Sequence, residues 1–161
     1  MMQKIFEIYS GKFDEQPCDF VKIYVTWKDI KGSLINLLKI WEAPFAKYPN
    51  RPGAYHWKRA ATLYRELMVD PCSFPYRTVL DCTCLNEGCW PFQVIVEETE
   101  NQVLWTKFLQ PHRDRDSYAD EFWDYSRYPS LVFNKQQYYA ELQLLKPIYE
   151  EWAKRQSEWE A

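Results

Sequence analysis

Residues 80–113 read LDCTCLNEGCWPFQVIVEETENQVLWTKFLQPHR and carry the clearest strand signals in the chain. In the run 91–97, Phe92, Val94 and Val96 fall on one face of the strand, and the residues between them fall on the other. The run 103–108 is rich in β-branched and aromatic side chains. A third such run, 78–83, precedes them. Connections as short as those between these runs join antiparallel neighbours. The sequence therefore predicts a three-stranded antiparallel meander.

Alternation with a period of two also assigns the side chains of the third strand to faces. Val103 and Trp105 fall on one face, and Leu104 and Phe108 fall on the other. Apolar neighbours surround Trp105 along the strand, so we expect its side chain to be buried.

The N-terminal part of the chain predicts two more strands, over residues 4–9 and 20–27. The segment between them contains Pro17 and Cys18 and is expected to be a polar loop. We expect the strand over 20–27 to join the meander in a single sheet, with the helices covering one face of that sheet.

Helices are predicted after Ser33 and Asn134, whose side chains can cap a helix N-terminus, and over residues 57–68, where apolar side chains recur at steps of three and four. Pro147 either kinks the last helix or opens a second one. The pattern indicates an α+β fold. We expect residues 1–161 to form a single domain, a mainly antiparallel sheet with a central three-stranded meander and three or four helices packed on it.

Composition narrows the classes of function. The 161 residues are 47% hydrophobic, and the net charge is −3 without a long basic run, which argues against nucleic-acid binding. No apolar run reaches the roughly 20 residues of a membrane span, and the N-terminus lacks a signal-peptide pattern, so a cytoplasmic location is expected. Aromatic residues make up 18% of the chain, which fits either an aromatic core or a recognition surface.

Three of the five cysteines, Cys82, Cys84 and Cys89, fall within eight residues. An odd number of cysteines in a cytoplasmic chain favours reduced thiols or metal ligands over disulfides. Together with His112 they form a candidate set of four zinc ligands. The alternatives are that Cys82 and Cys84 pack as core thiols, or that Cys89 and His112 act as nucleophile and base.

The segment around QPHR contains the candidate binding residues, which are Trp90, Gln110, His112, Arg113 and Arg115. The two arginines can offer bidentate donors to a phosphate or carboxylate. The alternative is a loop held in place by arginine hydrogen bonds to neighbouring aspartates. Both interpretations remain open at the level of sequence.

The cysteine and QPHR motifs resemble the pattern of a family of small uncharacterised bacterial proteins. That pattern consists of C-x-C, GCWP, W-x-x-F and QPHR, here at residues 82–84, 88–91, 105–108 and 110–113. Residues 125–138 are similar to the C-terminal pattern of the same family, and Leu85-Asn86 stands where that family carries a glycine. The resemblance covers roughly the C-terminal half. It implies a bacterial, cytoplasmic protein and no particular activity.

Without a catalytic signature, we expect a non-enzymatic binding protein that docks a protein partner through aromatic and acidic surface. The acidic runs 97–100 and 120–121 would contribute to such a surface, and a toxin-neutralising immunity protein is one concrete form. The alternatives are a small enzyme or ligand-binding protein using Cys89, His112 and Arg113, or a structural zinc-binding domain. Apart from zinc, no cofactor is expected.

Overall fold

Two antiparallel sheets and four α-helices share one hydrophobic core in the computed structural model, which describes residues 3–45, 54–70, 75–86, 88–114 and 122–160. The strands are β1 (Phe6–Phe13), β2 (Gln16–Trp27), β3 (Ile30–Ser33), β4 (Tyr55–Trp57), β5 (Tyr76–Cys82), β6 (Phe92–Glu98), β7 (Gln102–Leu109) and β8 (Leu131–Asn134). The helices are α1 (Leu34–Glu42), α2 (Ala60–Tyr64), α3 (Lys135–Gln143) and α4 (Lys146–Glu160). None of the described helices combines the length and apolar character that crossing a bilayer requires.

Every pair of neighbouring strands is antiparallel, and the predicted α+β class and β5-β6-β7 meander are confirmed. The single sheet was a wrong prediction. β2 lies in a three-stranded sheet, β1-β2-β3, while the meander belongs to a five-stranded sheet, β4-β5-β6-β7-β8. The sheets meet where Val21 N–H donates to the Lys58 carbonyl at 3.1 Å. The two sheets pack against different helices. α1 and α2 pack on β2 of the three-stranded sheet, and α3 packs on β7 and β8 of the five-stranded sheet.

The polar loop expected around Pro17 and Cys18 is instead the first part of β2. The connection from β1 is a tight turn at Asp14 and Glu15, whose φ angles are +50° and +64°. Pro17 lies opposite Lys12 of β1, and β3 pairs only with residues 24–27 of β2. The other edge of β2 therefore needs no N–H from Pro17, which is the position where a strand tolerates proline.

The helix predicted over residues 57–68 begins later than expected. Trp57 ends β4, which pairs with β5 so that Tyr55 lies opposite Cys82. The α-helix starts at Ala60 and passes into a π-helical turn, Arg65–Val69. At Trp57 the spacing of apolar residues favours a helix only weakly. Pairing of this segment with β5 outweighs that local preference.

Trp105 is fully buried, as predicted, but Phe108 lies on the same side of β7 and not on the opposite one. Between the pairs Gln93–Leu109 and Ile95–Thr106 the register shifts, and Lys107 adopts a φ of +49°. This bulge inserts one extra residue and reverses the alternation. The Phe108 ring consequently stacks on Phe92, with ring centroids 5.9 Å apart.

The two predicted helix caps are confirmed. Ser33 Oγ accepts from Asn36 N–H at 3.2 Å, and Asn134 Oδ1 accepts from Gln137 N–H at 2.9 Å. Pro147 lies in the first turn of α4, so it opens a second helix and does not kink α3. The N-terminal ends of these helices are thus determined by local sequence.

Candidate functional site

The thiols of Cys82, Cys84 and Cys89 converge where β5 leaves the sheet. Their three Sγ atoms all lie within 4.8 Å of one another. The chain folds back tightly because Leu85 and Gly88 adopt positive φ angles of 63° and 78°. Two backbone bonds close the turn, Leu85 N–H to the Cys82 carbonyl at 2.8 Å and Cys89 N–H to the Asn86 carbonyl at 3.3 Å.

These thiols are accessible from solvent. Cys84 and Cys89 are exposed and Cys82 is half-buried, so the alternative of core thiols at Cys82 and Cys84 is wrong for Cys84. An exposed thiol cluster can bind an ion or react, whereas a buried thiol is usually inert.

Hydrogen bonding distributes the charge unevenly over the cluster. The pKa of Cys84 is lowered because the Asn86 backbone, and then the Cys82 and Cys89 thiols, hydrogen-bond to its sulfur. Hydrogen bonds with Cys84, and then with Cys82, raise the pKa of Cys89 to about 11. A thiolate therefore forms more readily at Cys84 than at Cys89, and the thiolate is the form that binds metals.

His112 does not join the thiols. Among the residues that the structure describes, the group of converging metal-ligating atoms at this turn consists of the three cysteines alone. Nε2 of His112 lies 2.8 Å from the Gly88 carbonyl oxygen, to which it can donate, and the ring stacks on Trp90 at 5.7 Å and 14°. The role of His112 as a base for Cys89 stays a prediction.

Trp90, His112 and Arg113 form one stack. The Arg113 guanidinium carbon lies 4.8 Å from the centre of the Trp90 ring and 5.6 Å from that of Trp123. Its Nη1 donates to the His112 carbonyl at 3.1 Å, and the Arg113 carbonyl accepts from Trp123 N–H at 3.0 Å. The contacts favour the interpretation that Arg113 holds the loop in place. Arg115 lies outside the described residues.

Gln110 is a buried structural residue, with 1% of its surface exposed. Its Nε2 donates to the Pro91 carbonyl at 2.8 Å and to the Tyr55 hydroxyl at 3.2 Å, and its Oε1 accepts from His112 N–H at 3.2 Å. Both ends of the amide are therefore used inside the protein, and one of them holds the backbone of His112.

A buried hydrogen-bond network around the Glu42 side chain adjoins Gln110, and no pattern in the sequence predicts it. Glu42 Oε2 accepts from the hydroxyls of Tyr55 at 2.5 Å and Tyr125 at 2.6 Å. Desolvation is the main reason that the pKa of both phenols is raised well above 10.0, and Glu42 adds to the shift. Residues 42, 55 and 125 are too far apart in the chain for local spacing to reveal their contact.

Because of these two phenols, we expect the folding stability of the protein to fall at alkaline pH. Because their folded-state pKa values exceed the unfolded value, the unfolded chain loses its protons first as pH rises above about 10, and stability then falls by up to about 1.4 kcal/mol per pH unit for each phenol. Below that pH both states are protonated and the contribution is constant. Urea unfolding between about pH 8 and pH 11 measures the effect. The Tyr125→Phe variant should show a shallower fall, and a flat profile would contradict the prediction.

The aromatic side chains whose burial the structure describes are all buried or half-buried, and most of them belong to the core or pack against it. Trp105 and Phe108 belong to the core. The acidic run 97–100 is exposed, whereas residues 120–121 lie outside the described part. Docking of a protein partner stays a prediction.

Comparison of the chain with family models, with curated proteins and with solved structures finds no match.

Proposed function

We propose that this protein is a metal-binding protein, in which Cys82, Cys84 and Cys89 bind zinc as thiolates. The observation that carries the proposal is the convergence of three Sγ atoms within 4.8 Å of one another. Sulfur atoms at about 2.3 Å from one tetrahedral zinc ion lie roughly 3.8 Å apart, so the side chains need only small rotations to reach the ion.

The protonation pattern supports a metal at this position. The pKa of Cys84 is lowered, chiefly by its hydrogen bond with the Asn86 backbone, while the thiol neighbours of Cys89 raise the pKa of Cys89 to about 11. A zinc ion would replace that proton and offset the repulsion among three thiolates. We therefore expect zinc affinity to rise with pH, because metal and proton compete for the same sulfur atoms.

Among the residues that the structure describes, three side chains converge as ligands, which leaves a fourth position for a further ligand. Structural zinc sites close the tetrahedron with four side chains, and an open position is typical of zinc that exchanges ligands. Nε2 of His112 lies against the Gly88 carbonyl oxygen and is not one of the converging atoms. This distinguishes the proposal from the four-ligand site predicted from the sequence.

Untagged protein saturated with zinc and then desalted should retain about one zinc ion per chain by mass spectrometry of the metal. Cys84→Ser should lose most of this zinc, because it removes one of the three converging sulfur atoms. Cys18→Ser is the matched control, since Cys18 lies in β2, outside the cluster. Chelator should lower the melting temperature of the wild type and of Cys18→Ser only. Zinc below roughly a tenth of an ion per chain, or equal loss in both variants, would refute the site.

A further inference from the structure

The three thiols of the cluster differ in how their backbone is held. Cys82 is the last residue of β5 and lies opposite Tyr55 of β4 in the strand ladder. Its carbonyl also accepts a hydrogen bond from Leu85 N–H at 2.8 Å. Cys84 and Cys89 lie beyond the strand, in the segment that leads from β5 to β6. The sheet therefore holds Cys82, whereas the other two cysteines belong to the connecting turn.

Cys84 and Cys89 are also the most accessible members of the cluster. Both are exposed, while Cys82 is half-buried. Among the groups that act on the Cys89 thiol, Cys84 acts most strongly, through a hydrogen bond, and Cys82 comes second. Two exposed sulfur atoms that share a hydrogen bond are open to the same reagent and are placed to react with each other.

A short movement brings these two sulfur atoms to bonding distance. They lie within 4.8 Å of each other, and the sulfur atoms of a disulfide are about 2.05 Å apart. The two atoms therefore need to approach by at most about 3 Å. The last pair of the β4-β5 ladder is Tyr55 with Cys82, so an approach within the turn breaks no pair of that ladder.

We propose that Cys84 and Cys89 form a redox-sensitive thiol pair, which a peroxide oxidises to a reversible disulfide across the turn. The pair reacts in its metal-free form, so the reaction does not depend on zinc binding. Redox-sensitive cysteines are typically exposed and lie next to a second cysteine that resolves the first product. Such a disulfide is transient, so it agrees with thiols that are reduced in the resting protein.

The peroxide is the only oxidant that the reaction needs. The thiolate of one cysteine attacks an oxygen atom of hydrogen peroxide, the O–O bond breaks, and the leaving hydroxide takes up a proton to become water. The thiolate of the second cysteine then attacks the sulfenic acid, so that the S–S bond forms and the S–O bond breaks, and hydroxide again leaves as water. Two thiols thus lose two protons and two electrons, and one peroxide becomes two water molecules. A dithiol reductant reverses the change by thiol–disulfide exchange.

Metal-free protein treated with hydrogen peroxide and then alkylated tests the pair by mass spectrometry. The expected product is a monomer with two fewer alkylated cysteines, and dithiothreitol should restore both. A glutamate-specific protease cuts at Glu87, between the two cysteines, so the disulfide should join the two resulting peptides. Unchanged alkylation, a bond within one peptide or a bond between two chains would overturn the proposal.

Serine variants identify the two cysteines that react. Cys84→Ser and Cys89→Ser should each form the disulfide at least about tenfold more slowly than the wild type, because each lacks one reacting sulfur. Cys82→Ser should form it at close to the wild-type rate, and Cys18→Ser is the control outside the cluster. Circular dichroism checks that each variant is folded. If Cys82→Ser slows the reaction as much as Cys84→Ser does, the assignment of the pair is refuted.

The disulfide would also switch off the proposed zinc site, and this consequence rests on the proposed function. It removes two of the three sulfur ligands, so oxidised protein should retain less than about a tenth of the zinc that reduced protein retains. Zinc binding should return after reduction and desalting. Equal zinc retention by both forms would overturn the switch. If reduced protein binds no zinc, the zinc site and the switch are both refuted, while alkylation of the metal-free protein still decides the disulfide.

Discussion

Replacing Trp105 with alanine is expected to lower the free energy of unfolding by about 3–5 kcal/mol. The indole is fully buried on β7 and contacts the rings of Phe6, Phe133 and Tyr138 at centroid distances of 6.3, 4.9 and 6.3 Å. Its Nε1 donates to the Tyr138 hydroxyl at 3.1 Å. The substitution therefore leaves a cavity between β1, β7, β8 and α3 and removes a buried hydrogen bond.

Urea unfolding followed by circular dichroism measures this loss, and Trp152→Ala is the matched control. Trp152 is half-buried on α4, so truncating the same side chain there should cost clearly less. Tyr138→Phe separates the hydrogen bond from the packing, with an expected loss of about 1–3 kcal/mol because the indole N–H is left buried and unpaired. A loss below about 1 kcal/mol for Trp105→Ala would contradict the buried position.

The second large effect is expected at the buried ion pair between Lys58 and Asp81. Lys58 Nζ lies 3.1 Å from Asp81 Oδ1, and the two side chains are 3% and 4% exposed. Changing Lys58 to methionine alone should destabilise the protein by about 3–5 kcal/mol, because the Asp81 carboxylate then remains buried without its cation. Urea unfolding of the single variant measures the loss.

Replacing both partners should recover most of that stability. The Lys58→Met/Asp81→Leu double variant buries no charge, and apolar replacements of buried pairs are often neutral or stabilising. The control is the partly exposed pair of Lys135 Nζ and Glu98 Oε2, 3.4 Å apart, where Glu98→Gln should cost about 0–1 kcal/mol. A double variant as unstable as the single one would show that the pair is needed for more than neutralising charge.

Interactions between residues that are close together in the chain were predicted correctly from the sequence. Ser33 and Asn134 cap helices because a short side chain reaches an N–H three residues on. The meander followed from alternation and short connections, and Trp105 was correctly placed in the core. The convergence of Cys82, Cys84 and Cys89 belongs to the same class, because one tight turn joins all three.

Interactions between distant segments were decided only by the tertiary structure. The bulge at Lys107 turned Phe108 toward the core, and pairing with β5 made a strand of residues 55–57. Neither is visible in local periodicity, because strand pairing depends on the partner.

The distinction between short-range and long-range interactions also explains which parts of the thiol site were predicted from the sequence. Spacing suggested His112 as a fourth ligand, but its ring is held by the Gly88 carbonyl and Trp90, which only the folded chain brings into contact. A groove lined by the β1-β2 hairpin and by α4 joins segments near opposite ends of the chain. The sequence alone determined the two helix caps, the meander and the thiol-bearing turn, because those depend on neighbouring residues. The division into two sheets, the buried Glu42 network and the groove were decided by packing between segments far apart in the chain.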